Sequence, residues 1–174
     1  MKKPNLKVTV GIKPSKILPG EVGLFALENF KRDSIVLPAS QFDKLTLIPW
    51  TDFDSLSAAA KERVLGFCPG TKKGFYTPPD LNFLTIAWFV NHSCEPNLGF
   101  DTDFNFVAMK SIKSGNELLW DYSFDETNPN FKMVCMCSSK KCRKIINGND
   151  WIQLAKKKPV QKYLSPHVKK LISK

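Results

Sequence analysis

The chain has 174 residues, of which 43% are hydrophobic and 24% charged, and its formal net charge is +10 at pH 7. That length suits one domain with a real core and is short for two, and the apolar content excludes extended disorder. No repeat recurs at a useful period, and the densest apolar run, Ile86 to Val90, falls far short of a membrane span.

The charge is unevenly placed. From Asn91 to Asn130 seven acidic residues face only Lys110 and Lys113, whereas from Phe131 to Lys174 twelve Lys and Arg residues stand against Asp150 alone. The basic segment fits nucleic acid or nucleoprotein and fits a solvated tail equally well; the acidic centre fits a cationic substrate. The basic start, Met1-Lys2-Lys3-Pro4, is followed by no apolar h-region. A soluble, intracellular protein without a membrane partner is therefore expected, cytoplasmic in a prokaryote and nuclear or cytoplasmic in a eukaryote.

In chain order, Leu6 to Ile12 alternates weakly and reads as a strand. Pro19-Gly20-Glu21-Val22-Gly23 is a turn before a second strand at Leu24-Phe25-Ala26-Leu27, and Ile35-Val36-Leu37 is a third. Residues 38–82 read as a variable helical insertion, with a helix from about Leu56 to Phe67 capped by Asp54 or Ser55 and stopped by Pro69-Gly70. Asn82 to Val90 is a short helix or a buried strand, which periodicity does not separate. Phe104 to Met109 reads as a strand, Ser114-Gly115-Asn116 as a turn, and Glu117 to Trp120 as a strand. Trp151 to Lys157 and Tyr163 to Ile172 have the spacing of short amphipathic helices. Short strands with Gly/Pro turns predict a mainly β, β-rich α+β domain.

Five cysteines occur. An odd number with no leader argues against a disulfide framework. Cys135, Cys137 and Cys142 form Cys-x-Cys-x4-Cys, a spacing suited to thiolate ligation of zinc that needs a fourth donor, which Cys94 can supply from a distance. Cys68 is left as a core or free thiol.

Two stretches read as halves of one site: Asn91-His92-Ser93-Cys94-Glu95-Pro96-Asn97 and Gly115-Asn116-Glu117-Leu118-Leu119-Trp120-Asp121-Tyr122. Together they resemble the signature pair of SET-domain protein-lysine methyltransferases. The cysteine triplet beyond Tyr122 resembles their post-SET zinc element, and Gly23-Leu24-Phe25-Ala26 resembles their N-terminal cofactor strand. The likeness runs from about Ile17 to Trp151. It implies a β-clip fold with a C-terminal pseudoknot, divided as a SET domain over 1–134, a post-SET element over 135–149 and a basic helical segment over 150–174. It also implies S-adenosylmethionine as cofactor, a structural zinc, and a lysine-bearing protein substrate such as a histone or another nucleic-acid-associated protein.

The resemblance assigns roles residue by residue. Tyr122 is the catalytic tyrosine; Asn91, His92 and the main chain of Glu21, Val22, Gly23 and Leu24 hold the cofactor; Cys94 joins Cys135, Cys137 and Cys142 on zinc. Trp120, two residues before Tyr122, stands where the family has Phe or Tyr and tunes room around the amine. Phe124 and Tyr76 are candidates for the lysine channel and equally for core. Two departures stand out: Glu21-Val22-Gly23 replaces Gly-x-Gly, with Gly20 displaced by one, and Arg143-Lys144 replaces Arg-Gly after Cys142. The altered glycine turn and Trp120 motivate one competing reading, a catalytically inactive SET-like binding module, and the C-terminal basic surface with Cys-x-Cys-x4-Cys motivates another, a zinc-stabilised nucleic-acid-binding protein.

Overall fold

Gly20, at φ +85°, makes the turn that folds the first two strands together, a backbone conformation glycine adopts without steric cost. The structure, a computed structural model, describes residues 7–42 and 45–173. Strand β1 (Val10–Pro14) pairs antiparallel with β2 (Val22–Ala26), Val10 opposite Ala26 and Pro14 opposite Val22. The expected first strand thus starts later, and Leu6 lies outside the described residues. Strand β3 is Ile35–Leu37.

The segment that read as a helical insertion holds helices and also a sheet of its own. Strand β4 (Thr46–Pro49) leads into helix α1 (Trp50–Ser55), then helix α2 (Ala58–Phe67) and strands β5 (Gly70–Thr71) and β6 (Gly74–Thr77), in the order β4-β6-β5. The expected helix starts two residues late because Leu56 is extended, and its cap is Ser57, whose hydroxyl accepts from Ala60 N–H, rather than Asp54 or Ser55; α1 before it is an unexpected element. Val64, Cys68 and Phe75 form a small separate core here, against Trp50 and Phe53.

Ile86–Phe89 is one 3-10 turn, which settles the ambiguous apolar run. After it come β7 (Asn91–His92), β8 (Leu98–Phe100), β9 (Phe106–Ala108) and β10 (Leu119–Trp120). Strand β9 begins two residues later than expected because Phe104 has φ +65° and the Asp101 carboxylate gathers the N–H groups of Asp103 and Asn105 into a turn. The five-stranded sheet runs β3-β9-β8-β10-β7, so the late strand β10 lies between two strands that are neighbours in sequence. That crossed connection is the feature expected of the fold.

Strands β11 (Lys132–Val134) and β12 (Ile145–Asn147) then form a ribbon around the cysteines, followed by α3 (Asp150–Ala155), α4 (Lys158–Gln161) and α5 (Pro166–Ile172). The basic C-terminal segment is no loose tail: Leu154, Tyr163, Leu164 and Val168 are buried in the main core with Leu24, Phe100, Phe106 and Leu118. Gly99 makes this docking possible, since a Cβ there would lie 2.5 Å from that of Tyr163.

Leu118 is fully buried, and its N–H bonds to the Leu24 carbonyl at 2.7 Å, tying the site strand to β2. Leu118→Ala is expected to lower unfolding stability by about 2–5 kcal/mol, measured by urea denaturation, because it removes core contacts and leaves a cavity.

Candidate active site

The two motif stretches are clamped by one asparagine side chain. Asn97 donates from Nδ2 to the Glu117 carbonyl (2.8 Å) and accepts at Oδ1 from Leu119 N–H (2.8 Å), while its own N–H reaches the Leu119 carbonyl (2.9 Å). Ser93 N–H donates to the Trp120 carbonyl at 2.9 Å. Trp120 therefore sits opposite His92 on one side and Leu98 on the other.

At the β2 edge, Asn91 Nδ2 donates to the Val22 carbonyl (2.9 Å) and to Glu117 Oε1 (3.2 Å). Glu117 is buried and also accepts from Ser15 Oγ and Lys16 N–H, each at 2.8 Å. A Cβ on Gly23 would lie 2.3 Å from Glu117 Oε1 and 3.0 Å from Asn91 Nδ2, so glycine is required here by close approach. Glu21 and Val22 are exposed beside the half-buried Asn91, whereas Gly23 and Leu24 are buried. Glu117 was absent from the sequence-derived roles; its burial inside a charged-looking motif has no sequence signal.

His92 is buried, and its Nδ1 accepts the Tyr122 N–H at 3.1 Å. Burial, with the Arg143 guanidinium nearby, holds its pKa down at about 3, so the ring is neutral and its Nε2 faces Cys94 Sγ at 3.5 Å. The Tyr122 ring meets His92 edge-on at 5.1 Å, and burial pushes the Tyr122 hydroxyl up to about 12, which keeps it protonated at neutral pH. Asp121 is buried, lies 3.7 Å from His92 Nδ1 and accepts from Arg143 at 2.6 Å.

Trp120 gives its indole N–H to the Val90 carbonyl (3.2 Å) and packs 5.2 Å from both Phe100 and Tyr122. Trp120 and Tyr122 line one cavity with Trp88, Phe106, Asp125 and Glu126. Tyr76 lies in an adjoining cavity with His167, and Phe124 is fully buried in the main core, so neither shares the wall that carries Tyr122. Core packing is thus the role of Phe124.

Cys94, Cys135, Cys137 and Cys142 place their sulfurs within 4.8 Å of one another, with 3.8 Å between those of Cys94 and Cys135. Four thiolates about 2.3 Å from a tetrahedral zinc have edges near 3.8 Å, so the donor set fits that ion. Lys144 has φ +66°, the left-handed conformation glycine would occupy more cheaply, which is the physical content of the Arg-Gly departure. Arg143 joins the two halves: its N–H donates to Cys94 Sγ (3.3 Å) and its guanidinium to Asp121. Cys68 stands apart in the insertion core, its thiol pushed up to about 12 by burial.

A SET domain family model matches residues 21–123, which hold Gly23, Asn91, His92 and Tyr122. The chain belongs to the SET domain family. Among its relatives are the histone-lysine N-methyltransferase ash1 of Drosophila melanogaster, 37% identical over 34% of this chain and 3% of that protein, and histone-lysine N-methyltransferase 2B of Homo sapiens, 37% identical over 35% and 2%. The histone-lysine N-methyltransferase trithorax of Drosophila virilis is 42% identical over 35% of this chain and 2% of its own length. The chain thus spans about 3% or less of the length of these relatives.

In this SET domain three of the seven acids of the acidic stretch, Glu117, Asp121 and Glu126, are buried. Glu126 holds the insertion to the site, its carboxylate accepting from Gly70 N–H and Asn128 N–H, each at 2.7 Å. Burial raises its pKa from 4.5 to about 7, against those hydrogen bonds. The folded state therefore holds a proton that the unfolded state loses, and the stability gained from it is complete below 4.5 and is lost as pH rises through about 7. Glu126→Gln is expected to flatten the slope of unfolding free energy between those pH values by up to about one proton, measured by denaturation at stepped pH.

Proposed function

We propose that this SET domain transfers the methyl group of S-adenosylmethionine to the ε-amine of a lysine in a protein substrate, a basic protein such as a histone or another nucleic-acid-associated protein. The observation that carries the reading is the placement of Tyr122: a protonated hydroxyl on an aromatic cavity wall, against His92 of the strand whose Asn91 donates to the Val22 carbonyl beside Gly23. The relatives' description as histone-lysine N-methyltransferases supports the substrate class, and makes a nuclear, chromatin-associated setting the natural one.

When bound, S-adenosylmethionine supplies an electrophilic methyl group on a sulfonium. Asn91, His92 and the main chain of Glu21, Val22, Gly23 and Leu24 would hold it, with Glu21 and Val22 on the exposed side. Trp120 and the cavity aromatics exclude water from the amine, and the Tyr122 hydroxyl orients it. The cofactor would supply its methyl group to the lone pair of a neutral amine that had already given its proton to solvent, with the thioether as the leaving group. Positioning and electrostatics supply the acceleration, with no nucleophile from the protein. Trp120 offers no hydroxyl to hold a water near the amine, and its N–H is already taken by Val90.

Cys94, Cys135, Cys137 and Cys142 would hold a structural zinc that ties the post-SET element, 135–149, to the SET domain, 1–134. The helical segment over 150–173 buries one face and leaves Lys156, Lys157, Lys158, Lys162 and Lys170 exposed, a surface suited to nucleic acid.

Protein incubated with methyl-labelled S-adenosylmethionine and core histones is expected to label a histone band, and Tyr122→Phe to lower the rate by about 100-fold or more at unchanged cofactor affinity. Cofactor binding with no transfer to any basic protein would favour the inactive binding module. Removal of zinc by a chelator is expected to lower both the melting temperature and cofactor affinity, and Cys142→Ser to reduce the metal content below one ion per chain, measured by elemental analysis.

A further inference from the structure

Tyr122 is tied to the cysteine cluster through one imidazole, and the hydrogen bonds on that ring fix which nitrogen carries its proton. Strand β10 ends at Trp120, and the turn Tyr122–Phe124 follows with Asp121 as its cap. The Tyr122 N–H thus lies past the end of the strand, and His92 Nδ1 accepts it at 3.1 Å. An accepting ring nitrogen carries no proton, so the neutral imidazole bears its proton on Nε2. The other partner for a protonated Nδ1, Asp121 Oδ1, is 3.7 Å away and already accepts from Arg143 at 2.6 Å and from Ser123 N–H at 3.0 Å.

The Nε2–H faces Cys94 Sγ at 3.5 Å, and that sulfur also accepts the Arg143 N–H at 3.3 Å. As a thiol, Cys94 can donate or accept, and a second sulfur, that of Cys135, lies within reach at 3.8 Å. As a metal ligand the sulfur is a thiolate, which only accepts. Ligation therefore leaves one arrangement of the ring: Nε2–H to the sulfur and the Nδ1 lone pair to the Tyr122 N–H. His92 is buried, so water does not compete for either nitrogen.

We propose that His92 is a positioning residue that carries metal occupancy to Tyr122. The Cys94 thiolate orients the imidazole by accepting its Nε2–H, and the imidazole holds the Tyr122 backbone and, with it, the phenol ring packed edge-on at 5.1 Å in the aromatic cavity. This role is separate from holding the cofactor, which makes no demand on the sulfur. It rests on the zinc site proposed above, and by linkage a ring orientation favoured by ligation favours ligation equally.

The test uses the full chain, labelled with nitrogen-15 and loaded with a spin-half cadmium isotope in place of zinc. Long-range proton–nitrogen spectra are expected to show His92 protonated at Nε2 and bare at Nδ1, with a scalar coupling between that proton and the cadmium across the N–H···S bond. His92→Asn keeps an acceptor for the Tyr122 N–H but is too short to reach Cys94, and is expected to weaken metal affinity roughly 10- to 100-fold in competition with a chromophoric chelator. In the wild type, metal is expected to slow hydrogen exchange at the Tyr122 N–H roughly tenfold more than at the Ala108 N–H, which is bonded to the Ser34 carbonyl, and the excess is expected to vanish in His92→Asn. A merely structural histidine would lower the melting temperature and move both amides together. A proton on Nδ1, an Nε2 proton uncoupled to the cadmium, or unchanged metal affinity in His92→Asn overturns the proposal. No metal uptake sinks the zinc site and the proposal together. Should His92→Asn fail to fold, the wild-type spectrum still decides. The coupling found in a protein that transfers no methyl group would sink the methyltransferase reading and leave the role of His92 standing.

Discussion

The insertion of Leu119–Trp120 between two strands that are neighbours in sequence is the constraint on which the rest of this structure depends. Strands this short have little pairing energy of their own, and the connection between β7 and β8 leaves a slot whose backbone groups need partners. Asn97 meets that need with donor, acceptor and N–H at once. Once the slot is filled, Asn91, His92, Trp120 and Tyr122 lie side by side without further adjustment. The site is a consequence of how the sheet is closed.

A second tie holds the C-terminal part to that slot. Arg143 reaches Asp121 with its side chain and Cys94 with its backbone, so the ribbon around the cysteines is joined to both motif stretches before any metal is considered. A buried carboxylate such as Asp121 requires a partner of opposite charge, and breaking such a pair from one side is far costlier than its net contribution. The left-handed Lys144 directly after Arg143 is the local strain this connection tolerates.

Electrostatics read from composition and from the fold diverge. The acidic centre suggested a surface field for a cationic substrate, yet Glu117 braces β2, Asp121 pairs with Arg143 and Glu126 fastens the insertion. What remains at the surface is Glu95 and Asp103, with Asp101 and Asp125 half-buried, a weaker field than the composition suggested. The basic C-terminal segment likewise divides by face, with Leu164 and Val168 buried in the core and Lys156, Lys157, Lys158, Lys162 and Lys170 exposed.

The sequence by itself determined the elements carried by side-chain chemistry: the Asn91–Asn97 and Glu117–Tyr122 motifs, the spaced cysteines with Cys94, the Gly20 turn and the third strand. Those depend on residue types at short separations, which a linear reading sees directly. Only the tertiary structure decided that Phe124 fills core, that Tyr76 faces a neighbouring cavity, that the insertion folds its own sheet, and that Ser57 caps its helix. Each of these turns on which face of a short element meets which distant partner. Elements of two to five residues have too few turns or alternations for periodicity to declare a face. Gly23 joins the two levels: its place in the motif was visible, but the reason for it, Glu117 at 2.3 Å from a Cβ that glycine lacks, exists only once residues far apart in the chain are brought together.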